Sequence, residues 1–65
     1  MSSHTAAELA VTADHVERYR QRIAAVATPL RDGQHDDVVA AIYEAERSLR
    51  SAQRSLDRAV KLLGG

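Results

Sequence analysis

Residues 42–63 read IYEAERSLRSAQRSLDRAVKLL. Within that stretch Ile42, Leu49, Leu56 and Leu63 recur every seventh position, and Ala45, Ala52 and Ala59 stand three places after the first three. A 3-4 alternation of apolar positions predicts a long helical stripe, since a strand would alternate every second residue. Toward the N-terminus a second stripe of the same period runs through Leu9, Val16, Ile23 and Leu30, with Thr12, Tyr19 and Val26 between them. Two helices of matched period joined by a polar turn predict an all-α fold, an antiparallel two-helix hairpin with heptad-like seams.

The punctuation agrees with that division. Thr5 followed by Glu8 reads as a capping box opening helix one. Pro29 disfavours helical geometry at Thr28 and removes a backbone donor, and Gly33 suits a left-handed terminator. Asp36 reads as the N-cap of helix two, with Asp37 beside it favouring the positive end of the helix dipole. The expected organisation is a single domain over residues 1–65, with helix one at about 6–28, a turn at 29–35 and helix two at about 36–63.

Composition argues that such a hairpin needs company. Alanine supplies 12 of the apolar residues, leaving six Leu, six Val, two Ile and two Tyr as large apolar side chains, with no Phe or Trp. A chain of 65 residues with so few core-forming groups is under-stabilised alone, and small scaffolds make up the deficit with disulfides, metal or oligomerisation. Cysteine is absent, which removes disulfides and thiolate metal sites. The expectation is therefore a homo-oligomer, a dimer before any higher state, that completes a four-helix bundle; a different protein partner is the alternative.

Charge supports antiparallel packing. Residues 1–46 carry a net −4 and residues 47–65 a net +4, so acids open and bases close helix two, complementing its macrodipole. The same polarity favours antiparallel docking between chains.

Two faces of helix two stand out as contact surfaces. One combines the small-residue flank Ala41, Ala45, Ser48, Ala52, Ser55 and Ala59 with Leu49, Leu56 and Leu63 of the seam. Small side chains let a neighbouring helix approach closely. The other is basic: Arg47, Arg50, Arg54, Arg58 and Lys61, spaced 3-4-4-3 on the side opposite the leucine seam, with Tyr43 one turn before Arg47. Exposed Tyr beside Arg is interface composition, whereas Tyr19 holds a core position. The basic stripe could meet phosphate backbones, but net charge is zero and no groove-reading motif accompanies it, so nucleic acid ranks last among partners.

Chemistry is poorly represented. His4, His15 and His35 form no H-x-x-x-H or Glu-x-x-His pattern, and the chain has no Cys, no G-x-S-x-G and no phosphate-cradling glycine loop. No catalytic residue, cofactor or metal is expected. The N-terminal Met1-Ser2-Ser3-His4-Thr5 lacks a signal-peptide pattern, and the longest apolar run, Val38 to Tyr43, is too short to span a bilayer. Those two readings make a cytoplasmic protein the expectation, and eight Arg against one Lys, with abundant Ala, fits a GC-rich bacterial genome. Gly64-Gly65 reads as a helix terminator and not as a conjugable tail. The architecture resembles that of the WXG100 secreted hairpins, but the turn Pro29-Leu30-Arg31-Asp32-Gly33 has no Trp, and Arg47 stands where their tail signal after Tyr43 needs an acid. The resemblance stops at architecture and implies no shared function.

Overall fold

The computed structural model describes residues 3–64; Met1, Ser2 and Gly65, and with them part of the leader reading and the second terminal glycine, lie outside that range. Helix α1 spans Ser3–Ala27 and helix α2 spans Asp36–Gly64, and the two pack antiparallel along their length. At the open end a Cβ placed on Gly64 would stand 3.4 Å from that of Ala6. The described residues contain no strand. The fold is thus the expected all-α hairpin.

Its ends differ in detail from the sequence reading. Thr5 and Glu8 lie inside α1, which starts at Ser3, so they form no capping box. Pro29 does not stop the chain abruptly. The last turn tightens into a 3-10 segment, Thr28–Leu30, with the Arg31 amide donating to the Thr28 carbonyl at 3.3 Å. The tighter helix tolerates a proline near its start, where the missing N–H has no partner to lose. Gly33 then turns the chain with φ +99°, a conformation that costs other residues steric strain. The Asp32 carboxylate accepts the Gln34 amide at 3.3 Å, an Asx turn that holds the bend. In α2 the cap falls one residue earlier than expected: the Val39 amide donates to the His35 carbonyl at 2.9 Å, and Asp36 and Asp37 occupy the first turn.

The hairpin's seam also departs from the expected one. The heptad leads Leu9, Val16 and Ile23 of α1 and Ile42, Leu49 and Leu56 of α2 are half-buried, as a seam requires. Their companions, however, stand four places later rather than three. In α1 these are Ala13 and Ala27, both buried, with Arg20 between them; in α2 they are Glu46, Gln53 and Val60. Thr12, Tyr19 and Val26, and likewise Ala45 and Ala52, are left exposed, and Tyr19 is no core residue at 57% exposure. The reason is steric and geometric. Small Ala13 and Ala27 let the helices approach, and an arginine facing a glutamate joins the seam where two aliphatics would otherwise meet.

Candidate interaction face

The two sides of the hairpin have opposite chemistry. On one side a polar cluster crosses between the helices. The Arg20 guanidinium donates to Glu17 in bidentate fashion, Nε to Oε1 at 3.1 Å and Nη2 to Oε2 at 2.7 Å. Its Nη1 reaches across to Glu46 Oε2 at 2.5 Å. Arg50 Nη2 donates to the same Glu46 oxygen at 2.8 Å, and Gln21 Nε2 donates to Glu17 Oε2 at 2.8 Å. Glu46 is the one buried charged residue described, at 7% exposure. A buried carboxylate is tolerated only when paired, and Arg20 and Arg50 supply that pairing. The Arg20 hydrogen bond, reinforced by that of Arg50, holds the Glu46 carboxyl below its ordinary range. Arg20 does the same, chiefly by hydrogen bonding, to Glu17. Reciprocally, the Glu17 hydrogen bond and then that of Glu46 push the Arg20 guanidinium further up.

One heptad from this level, Ala13 and Gln53 share a shallow groove edged by Ala10, Asp14, Glu17 and Asp57. There the buried Gln53 Oε1 has no hydrogen-bond partner, while its Nε2 reaches Asp57 at 3.5 Å. This side of the molecule is lined mainly by polar groups.

The other side is open, small and apolar on α2 but mixed on α1, where Thr12 shares a pocket with Thr5 and Glu8 and the Arg22 guanidinium lies over the Tyr19 ring. Residues that stand one place before the buried companions face it from both helices: Thr12, Tyr19 and Val26 of α1, and Val38, Ala45, Ala52 and Ala59 of α2. Val26 is 56% and Val38 42% exposed, and Leu62, one turn beyond Ala59, is 79% exposed. The small-residue flank lies here. Ala41, Ala45, Ser48, Ala52 and Ser55 are exposed and Ala59 is half-buried, while Leu49 and Leu56 are occupied by the hairpin seam and Leu63 is 46% exposed. The stripes at +3 from each seam leader therefore do belong together. They form the uncovered side of the hairpin, not its interior.

The basic face points to solvent. Arg47, Arg50, Arg54, Arg58 and Lys61 are all exposed, and only Arg50 makes an ion pair among the described residues. Tyr43 is not with them on the outside: it is half-buried on the flank of the seam. The Tyr19 ring instead carries the cation contact, with the Arg22 guanidinium carbon 5.9 Å from its centroid.

Sequence reasoning passed over Arg20, Glu17 and Glu46. The signal was present: Arg20 lies between Val16 and Ile23, and Glu46 between Ile42 and Leu49, each at seam spacing. Among the described residues no group of three or more His, Asp or Glu side chains is arranged to hold a metal ion, and no helix is long and apolar enough to cross a membrane. No family model, curated protein or solved structure matches the chain.

Proposed function

We propose that this chain is a non-enzymatic interaction module, an assembly or adaptor subunit, that self-associates through the open side of its hairpin to make a four-helix bundle. The observation that carries the reading is an interior in which no large side chain among the described residues is fully buried, beside exposed apolar residues such as Val26, Val38 and Leu62. A helix pair that covers only one side of its apolar stripes leaves the rest of the hydrophobic stabilisation to be gained by association. Replacing Leu56 by Asp places an unpaired charge on the seam and should abolish helicity and association together. A fully helical, cooperatively melting L56D monomer would sink the reading.

The free cations of α2 favour a second one, an accessory subunit of a hetero-complex docked on an acidic protein. Arg47, Arg54, Arg58 and Lys61 have no acidic partner among the described residues, and arginine suits bidentate contact with carboxylates. It requires a stoichiometric partner whose retention is lost in Arg54→Glu; recovery of the chain only with itself removes its support.

A further inference from the structure

Resting on the self-association reading, we infer that the second copy docks antiparallel on α2, across a two-fold axis level with Arg50 and Ser51, with Glu44 of each copy paired to Arg58 of the other. The open side of α2 carries an unbroken 3-4 row from Val38 to Leu62, every member of it exposed or half-buried. Any such row has symmetric spacing, so spacing alone decides nothing. The order of residue sizes is what selects the partner. Rotated about its midpoint, the row sets Val38 against Leu62 of the second copy, Ala41 against Ala59, Ala45 against Ser55 and Ser48 against Ala52. Large meets large at both ends, and small meets small through the middle. A run of small pairs allows close approach of two helices, and the terminal Val–Leu pairs bury side chains that the hairpin leaves bare. In a parallel arrangement like would also face like, so size alone does not fix direction.

Charge fixes it. The flank beside this row, on the side away from α1, bears Asp37, Glu44, Ser51 and Arg58. In the antiparallel arrangement Glu44 faces Arg58 of the second copy, twice by symmetry, and Ser51 faces its own mate at the axis. A parallel two-fold arrangement would turn this flank away from its mate and lay it beside the other copy's Ile42, Leu49 and Leu56, where neither Glu44 nor Arg58 meets an opposite charge. Glu44 and Arg58 are both exposed, and neither makes an ion pair among the described residues, so each is available. The dipoles of the two α2 helices oppose, as antiparallel packing prefers. The same rotation brings the second copy's α1 over the exposed Tyr19 and Val26.

The test is a charge swap on the full chain, read by sedimentation and native mass spectrometry. Glu44→Arg alone and Arg58→Glu alone should each weaken self-association about tenfold or more, because each turns two attractions into two repulsions. Mixed together, the two variants should form a heterodimer in preference to either homodimer, which also shows that both still fold. With cysteine introduced as Ser51→Cys, a short bis-maleimide should link copies efficiently. With Glu44→Cys it should not, since those residues would stand about 21 Å apart at 1.5 Å per residue. A parent chain that dimerises while the swaps change nothing, or while E44C links as readily as S51C, overturns the antiparallel register and leaves self-association standing. A parent chain monomeric at every concentration overturns both.

Discussion

Glu46 and Arg20 occupy seam positions that apolar residues would fill more simply, and the consequences are local and measurable. Each partner satisfies the other, with Arg50 and Glu17 completing the set. Removing one partner leaves the other only its pairing within its own helix, Arg20 with Glu17 or Glu46 with Arg50, and the charge contact between the helices is lost. Glu46→Leu should therefore lower the thermal midpoint, whereas Arg20→Leu combined with Glu46→Leu should bring it back to the parent value or above, as measured by circular dichroism. A neutral single substitution would contradict this. The acid limb follows from the same contacts. Glu46 and Glu17 titrate below their ordinary 4.5 in the folded state, so their stabilisation is complete above that pH and drains away as pH falls through the lowered values. Arg20, shifted further upward by the same contacts, stays charged throughout and adds no slope there. Helicity should hold level from neutral pH to about pH 5 and decline below 4.5, and the decline should shrink when Glu17 and Glu46 are both replaced by Gln. At the turn, Gly33→Ala meets no neighbouring atom, so its cost is the strain of φ +99° alone, about 1 kcal/mol in a denaturant titration.

Each helix carries two usable stripes that share their seam leaders, and the hairpin uses one of them. That is why the fold class and the helices were legible in the sequence while the packing register was not. Seven-residue recurrence of Leu9, Val16 and Ile23 and of Ile42, Leu49 and Leu56 announces helices, but residues three and four places on flank the leader equally. Hydrophobicity favoured Tyr19 and Val26 over Arg20 and Ala27, and so pointed to the wrong flank. What decided the register was pairwise: an arginine needs an opposing carboxylate, which no single-helix pattern reveals. The small-residue flank was legible as an unbroken row of alanines and serines, yet its exposure depended on the register chosen by α1. Because Ala52 is exposed in the hairpin, Ala52→Leu should leave hairpin stability within about 0.5 kcal/mol while prising apart the small-residue contact between copies. An A52L chain that associates and folds at the same concentrations as the parent would argue that Ala52 lines no contact between copies.

As a whole the molecule is long and thin, 52 × 14 × 11 Å, with a radius of gyration of 15.1 Å where a compact chain of this length would have about 11 Å. Its accessible surface is 4894 Å², against about 4,100 Å² for a compact protein of 7.1 kDa. Both excesses express the same fact: two helices can shield each other on one side only. Covering the open side with a second copy gives every helix two neighbours and turns the half-buried seam into an interior. Folding and association should then be coupled, with the thermal midpoint rising as chain concentration rises. The most direct test is molar mass by light scattering over a wide dilution series, with helicity followed at each step. The account predicts twice the 7.1 kDa chain mass at high concentration, and helix lost together with mass on dilution. A fully helical chain of single mass at every concentration, melting cooperatively and independently of concentration, would contradict it.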